Sequence, residues 1–387
     1  MSVLFIAFSG VINASSSDSD SLQGSVSYGY DSNPFKLSSP DTSQSEAEYK
    51  ALTLKYQGDS YLSGKKKQGK NSASKAKKAN LLYRLKLNKR IYSHSRSAGD
   101  NFRLDGHLRW IERFKMAERK ASLLVSADIR SERNTYYSQT QRQIAETSDG
   151  DLIDNRFSYD AAGVTAELVY YANKKRSWSL LTQFGQRSYV EDYRDIGLEA
   201  LDFNEFRLQP SFRFKTDSGS SLRVFAYHKF RDYQGLQNES VDDSSLVGYT
   251  LNGYGLVLSQ SVTERLESSV YLSGYFARDN GAGLRDLNYH SVVINVNYQL
   301  DTGGELQFNS QAYQREYLNP GFSPAESEIS VSGGQRNGLM AEVRLSKPLV
   351  WAPLTGLVSL RKEQERNSTE GLSYQRYLIE VGLQFQL

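Results

Sequence analysis

Basic side chains recur at alternate positions within several stretches of this sequence. Arg84 is two residues from Lys86, and Arg213 is two residues from Lys215. Residues spaced by two lie on the same face of a β-strand, so these charges would form rows. Rows of guanidinium and ammonium groups in a confined space favour anions. The candidate residues for contact with a passing anion are Arg84, Lys86, Arg103, Arg109, Arg207, Arg213, Lys215 and Arg344.

Carboxylates on the same faces leave a second interpretation open. The acidic residues that would oppose the basic rows are Asp105, Asp128, Glu132, Glu167, Glu342 and Glu380. If each acid neutralises a cation, the wall carries both signs and its selectivity is small. The alternation alone does not decide between a positive wall and a balanced one.

Covalent chemistry has little support in this sequence. The four histidines, His94, His107, His228 and His290, are scattered and contain no His-x-x-x-His pair for a metal. There is no cysteine, which removes thiol catalysis and cysteine ligands. We therefore predict no catalytic residue, no metal site and no cofactor. A hydrolase site assembled across strands from His228 or His290 stays open as an alternative.

Strands are the elements that would position the basic rows. The final residues, Tyr377 to Leu387, alternate strictly between apolar residues and mostly polar ones. This period of two is typical of a strand with one apolar and one polar face. We predict sixteen strands near residues 22–30, 45–57, 79–90, 101–114, 119–137, 156–172, 176–189, 203–215, 221–233, 248–262, 264–278, 287–300, 304–317, 336–347, 354–366 and 373–387.

The joints between these strands are alternately short and long. Short turns, such as Lys115–Glu118 and Asp301–Gly304, alternate with long polar loops such as 138–155. This sorting is typical of outer-membrane barrels, whose periplasmic turns are short and external loops long. Mean hydropathy is −0.57, yet the chain has 26 Tyr and 17 Phe, which fits aromatic girdles around a wet interior. We predict an all-β, transmembrane antiparallel barrel with both termini in the periplasm of a Gram-negative bacterium.

The N-terminal residues predict an export signal. Residues 1–14 contain an apolar stretch from Val3 to Ile12 that is followed by Ala14 and a serine-rich run. This order is typical of a signal peptide, although the usual basic start is missing, so the true start would lie upstream. An ordinary first strand is the alternative. Residues 15–387 then form the single barrel domain.

One predicted periplasmic joint breaks the alternation. Residues 58–79 are too many for a short turn, and they carry Lys65, Lys66, Lys67, Lys70, Lys75, Lys77 and Lys78. Runs of like charge with Gly and Ser are usually solvated and flexible. The alternatives are a basic segment that docks an envelope partner, meets a polyanion or folds into the pore mouth. Nucleic acid is not an expected ligand for an exported barrel.

A short motif near the first strand resembles a known family. The residues Gly29-Tyr30-Asp31-Ser32-Asn33-Pro34-Phe35 are similar to a GYDxNxF stretch in outer-membrane β-barrel porins associated with exopolysaccharide clusters. The resemblance covers this motif and the general strand plan. It implies a role in the export or surface handling of a polysaccharide.

These observations together predict an outer-membrane channel that passes small or saccharide solutes, with a preference for anions and a link to exopolysaccharide export. The alternative is a non-conducting accessory barrel that docks an envelope protein through its lysine-rich loop. The expected partners are outer-membrane lipid and lipopolysaccharide, with an anionic polysaccharide or an envelope protein as further candidates. The sequence does not predict the oligomeric state.

Overall fold

The chain forms one curved sheet of sixteen strands. The structure, a computed structural model, describes residues 20–33, 47–60, 81–93, 100–134, 157–190, 200–237, 246–280, 286–318, 334–349, 354–368 and 373–386. The proposed signal peptide and the lysines of the long joint lie outside these ranges. No helix in the described ranges is long and apolar enough to span a membrane.

All sixteen predicted strands are present. Their bounds are β1 Ser21–Asp31, β2 Ala47–Ser60, β3 Leu81–Tyr92, β4 Asn101–Met116, β5 Arg119–Asn134, β6 Tyr159–Tyr171, β7 Arg176–Tyr189, β8 Ala200–Lys215, β9 Ser221–Gln237, β10 Leu246–Ser261, β11 Leu266–Asp279, β12 Leu287–Gln299, β13 Glu305–Tyr317, β14 Gln335–Pro348, β15 Leu354–Asn367 and β16 Tyr374–Gln386. The lysine-rich joint is shorter than predicted, because β2 continues to Ser60.

Each strand pairs with its neighbours in sequence, and the last strand closes the sheet against the first. The seam between β1 and β16 is antiparallel and runs from Gln23 opposite Gln386 to Asp31 opposite Leu378. The barrel is therefore closed and has no free sheet edge, so every backbone ladder in the wall is paired. The prediction of a sixteen-stranded antiparallel barrel is confirmed.

The two ends of the barrel differ in their connections. At one end β4 and β5 are joined by Ala117 and Glu118 alone, whose φ angles of 47° and 61° suit a two-residue hairpin turn. Gly219 and Gly303, both with positive φ, serve the turns after β8 and β12 at the same end. We call this the short-turn end, and the opposite end, where β3 leads to β4 through 93–100, the long-loop end.

The exterior of the barrel is apolar. Large hydrophobic side chains at alternate positions, such as Ile379, Val381 and Leu383 on β16, are about half exposed. The same parity on other strands carries aromatic residues, including Trp178 and Phe206. A band of exposed apolar and aromatic residues around a closed barrel is the surface that a lipid bilayer covers. The opposite parity faces the interior, which is largely polar.

Candidate functional site: the basic interior wall

The eight basic residues proposed from the sequence all lie on the interior face. In the strand register Lys86 on β3 lies opposite Asp105 on β4, and Arg207 on β8 lies opposite Lys229 on β9, although no ion pair joins Lys86 to Asp105. The residues next to them in sequence, such as Phe206, lie on the exterior face of the strand. The other six, Arg84, Arg103, Arg109, Arg213, Lys215 and Arg344, have the same inward parity in the strand pairing.

The interior charges of the described strands are divided unevenly around the barrel. Strands β3 to β9 carry sixteen cations and five acids on their inward faces, whereas the other nine strands carry six cations and nine acids. We call the inward face of β3–β9 the basic wall. Its cations are Arg84, Lys86, Arg90, Arg103, Arg109, Arg113, Lys115, Lys120, Arg130, Arg187, Arg207, Arg213, Lys215, Arg223, Lys229 and Arg231, and its acids are Asp105, Asp128, Glu132, Glu167 and Glu205.

Among the cavities along the basic wall, two hold most of its cations. The upper cavity, about 520 Å³, is lined by residues of β3 to β9 and includes Arg84, Lys86 and Arg103. The lower cavity, about 350 Å³, lies towards the short-turn end and includes Arg109, Arg213 and Lys215. Two of the predicted residues line neither of these: Arg207 lies over the ring of Tyr227 at 4.2 Å, and Arg344 is on β14, away from the basic wall.

Some cations of the upper cavity are neutralised by acids. Asp105 accepts hydrogen bonds from Arg103 and from Arg130, each at 2.8 Å. Glu205 accepts from Lys229 at 2.9 Å and from Arg231 at 2.8 Å. Because each carboxylate is shared by two cations, both groups keep a net positive charge.

Three further cations of the upper cavity have no acidic partner among the described residues. Arg84 and Lys86 project from β3, and Arg187 projects from β7. The Nε of Arg187 is buried and has no hydrogen-bond partner among those residues. These side chains are the most available to an incoming anion, because no internal carboxylate competes for their donors.

The lower cavity is more strongly basic than the upper one. Its described lining includes seven cations, and Glu167 is the one acid among them. Glu167 lies 3.6 Å from Arg223, which is an ion pair within the wall. The other cations of this lining are Arg109, Lys174, Lys175, Arg176, Arg213 and Lys215. The positive wall therefore extends from the upper cavity to the short-turn end.

Interior aromatic rings line the strands next to the basic wall. Tyr275, Tyr289 and Tyr313 project inward from β11, β12 and β13, with ring centroids 5.0 Å and 6.0 Å apart and nearly parallel planes. The next inward position on β14 is Gly338, where a Cβ atom would lie 2.1 Å from the Tyr313 ring. Glycine at this position lets the ring lie flat against the wall. We call these three tyrosines the aromatic wall.

The three described histidines, His107, His228 and His290, do not form a hydrolytic site with the other described residues, and His94 lies outside the described ranges. His228 and His290, the two candidates from the sequence, lie on the exterior face and bond Asn252 and Tyr254 at 2.9 Å. His107 faces the upper cavity and lies 2.6 Å from Asp128. The described lining of that cavity contains no Ser or Thr to act as a nucleophile beside this pair. Within the described ranges, no group of three or more potential ligands could hold a metal ion.

No protein-family model matches this sequence, and no curated protein matches it either. Solved structures with a similar fold include a bacterial polysaccharide outer membrane secretin, at 10% identity and a TM-score of 0.43 over 95% of this chain and 98% of that one. OpdQ of Pseudomonas aeruginosa is similar at 12% identity and a TM-score of 0.41, over 95% and 99% of the two chains. OccAB4 of Acinetobacter baumannii has 8% identity and a TM-score of 0.42, over 95% and 98%.

The barrel follows from the strand pairing of this chain, and the chemistry of its interior follows from its own side chains.

A buried ionic cluster at the long-loop end is the feature that sequence reasoning missed. Asp31 on β1 is fully buried and accepts hydrogen bonds from the Nε of Arg376 at 2.9 Å and from the hydroxyl of Tyr92 at 2.7 Å. Arg376 on β16 also lies 3.6 Å from Glu363. We call Asp31, Tyr92, Glu363 and Arg376 the seam cluster, because it joins β1, β3, β15 and β16 where the barrel closes.

The contacts around the seam cluster also explain part of the motif at residues 29–35, namely residues 29–33, which the structure describes. A Cβ atom on Gly29 would lie 2.3 Å from the ring of Tyr49, so glycine makes room for that ring. The backbone N–H of Ser32 donates to the carbonyl of Tyr377 at 2.9 Å, and the Nδ2 of Asn33 donates to the carbonyl of Gln375 at 2.9 Å. These motif residues therefore extend the β1–β16 contact beyond the last paired residues.

Proposed function

We propose that this protein is an outer-membrane channel that passes anionic solutes, with acidic saccharides as the preferred class. The observation that carries the proposal is the one-sided distribution of interior charge, with sixteen cations against five acids on β3–β9 of the described barrel. A confined wall of one sign focuses the field and raises the local concentration of counter-ions. The mechanism is diffusion along this wall, without covalent chemistry.

The outer membrane of a Gram-negative bacterium is the proposed location. Closed antiparallel barrels with an even number of strands, an apolar exterior and short turns at one end are typical of that membrane. The short-turn end, with Ala117 and Glu118 at one of its turns, is then the periplasmic end. Both termini of the barrel, Ser21 and Gln386, lie at this same end.

The aromatic wall supports a saccharide as the solute. The faces of a pyranose ring present C–H groups that pack against aromatic rings, while its hydroxyl and carboxylate groups need polar partners. Tyr275, Tyr289 and Tyr313 offer such rings on strands beyond the basic wall. A link to exopolysaccharide export rests on the resemblance at residues 29–35. The described residues of this motif make structural contacts at the seam between β1 and β16.

Planar-bilayer recording of the refolded full chain tests the channel function. We expect steady ohmic steps, with a reversal potential in a KCl gradient that shows preference for chloride. Correctly folded protein that inserts and gives no conductance would contradict the proposal. Folding is checked separately by the shift in electrophoretic mobility between unheated and heated samples.

Neutralising three cations of the basic wall tests the origin of the preference. The triple variant Arg84→Gln, Arg207→Gln and Arg213→Gln removes charges from three inward positions. We expect the chloride preference to fall markedly while single-channel conductance persists, because the wall loses field strength but keeps its shape. The matched control is Arg344→Gln on β14, which should leave the reversal potential nearly unchanged. Equal reversal potentials in the wild type and the triple variant would refute the positive wall.

A further inference from the structure

A recess lies in the basic wall where two glycines face each other. Gly163 on β6 and Gly185 on β7 are paired in register and face the upper cavity. A Cβ atom on Gly185 would meet only the carbonyl oxygen of Ala162, at 3.7 Å, within 4 Å. No neighbouring side chain fills this space, so the wall is concave here. We call this recess the glycine bay.

An oriented guanidinium stands beside the glycine bay. Arg187 follows Gly185 on the same inward face of β7 and lies over the ring of Tyr159 at 4.1 Å and that of Phe203 at 5.1 Å. These aromatic contacts fix its plane without using its N–H donors. Among the described residues its one hydrogen bond is a long one, 3.5 Å from Nη1 to the hydroxyl of Tyr189. Its Nε is buried, so the terminal Nη1 and Nη2 groups hold the N–H donors that a ligand in the cavity can reach.

The charge around the bay is not balanced by the protein. Arg84 and Lys86 line the same cavity from β3, and neither has an acidic partner among the described residues. By contrast, Asp105 and Glu205 are each held by two cations. Like charges that face one cavity repel one another, and an anion placed between them removes that repulsion.

We propose that the glycine bay is a binding subsite for the carboxylate of an acidic saccharide, at which the solute is held before it moves on. The planar donors of Arg187 match a carboxylate in a paired geometry. The volume of about 520 Å³ lies within the range of small-ligand pockets and admits a sugar unit. This inference rests on the proposed channel function and adds a specific site to it.

Calorimetric titration of the folded full chain in detergent micelles tests the subsite without any need for conduction. The probe is trigalacturonate, with neutral maltotriose as the comparison ligand. We expect saturable binding of trigalacturonate that Arg187→Gln weakens by about tenfold, since a charged hydrogen-bond pair is lost. Arg344→Gln removes the same charge outside the cavity and should change the affinity by less than about twofold.

A second variant separates the shape of the bay from its charge. Gly185→Val fills the recess with a residue that suits a strand and leaves every charge in place. We expect it to weaken trigalacturonate binding by about tenfold or more, while chloride preference in bilayers is retained. Ser259→Val, which adds an apolar side chain to an inward position on β10 outside the cavity, is the control.

The outcomes distinguish the subsite from the channel. Wild-type affinity in both Arg187→Gln and Gly185→Val would overturn the subsite and leave an anion-preferring channel intact. Equal binding of maltotriose and trigalacturonate would also overturn it, because the carboxylate would then play no part. Saturable binding without conductance would support the subsite and refute the channel.

Discussion

Arg376 and Arg187 show two different uses of arginine in this barrel. Arg376 is buried at the seam and donates to Asp31, so its charge is neutralised inside the protein. Arg187 is held by aromatic rings and has no acidic partner among the described residues. A paired buried arginine contributes to closure, whereas an oriented arginine without a carboxylate is available to a solute.

Breaking the seam cluster should destabilise the barrel. Asp31→Asn leaves Arg376 buried and without its main counter-charge, which costs about 3 kcal/mol of unfolding free energy. The measurement is urea unfolding in phospholipid vesicles, followed by the intrinsic fluorescence of the three tryptophans, of which Trp110 and Trp178 face the exterior.

The control for this measurement is Asp217→Asn at the short-turn end. Asp217 pairs with Lys175 in an exposed ion pair, and exposed pairs contribute about 0 to 1 kcal/mol. If Asp31→Asn lowers the free energy of unfolding by as little as Asp217→Asn does, the seam cluster does not stabilise the closure of the barrel.

At the scale of elements, the strand plan could be read from the sequence because each strand carries its own signal. Alternation puts the apolar face of each strand against lipid. A slip of one residue would turn the polar face towards lipid, so the register of each strand is strongly constrained. The largest error is at β9, which continues to Gln237 rather than ending near residue 233. The polar residues near that end do not distinguish a strand that extends past the lipid from a loop.

The site could be predicted only in part, because its contacts join residues on different strands. Alternation predicts that the eight basic residues share the polar faces of their strands, but it could not show that Asp105 accepts hydrogen bonds from both Arg103 and Arg130. Asp31 and Arg376 are 345 residues apart, so no local pattern links them. Arg187 was not proposed as a site residue, because its importance depends on Tyr159 and Phe203 from neighbouring strands.

Deleting residues 64–78 tests the lysine-rich joint, which lies outside the described residues. We expect the barrel to fold and conduct as before, because Ser60 and Leu81 are register partners and the remaining residues suffice for a hairpin loop. Electrophoretic mobility and bilayer conductance measure this outcome. A misfolded product would show that the joint is needed for the pairing of β2 with β3.

The same deletion in cells tests the docking hypothesis for this joint. If the lysines dock an envelope partner, the deletion strain should show an envelope defect, such as increased sensitivity to detergent, despite a folded barrel. A strain with unaltered envelope properties would leave the segment as a linker.

At the scale of the whole molecule, the interior is divided between chemically different walls. Strands β3–β9 carry the excess of positive charge, and Tyr275, Tyr289 and Tyr313 lie on strands beyond them. The other nine described strands carry more acids than cations inside, and two of those acids, Asp31 and Glu363, belong to the seam cluster. Because the excess charge is concentrated on one wall, its field adds up there.

Anion preference should therefore depend strongly on salt, because it arises from a summed field and not from one contact. The Debye length is about 30 Å at 0.01 M salt and about 3 Å at 1 M, so the wall acts across the lumen only in dilute solution. We expect the permeability ratio of chloride to potassium to be highest in dilute KCl and to approach its bulk value near 1 M. Reversal potentials at a constant KCl ratio and increasing absolute concentration measure this. A preference that stays constant over the series would indicate selection by a narrow local filter, and it would contradict a distributed positive wall.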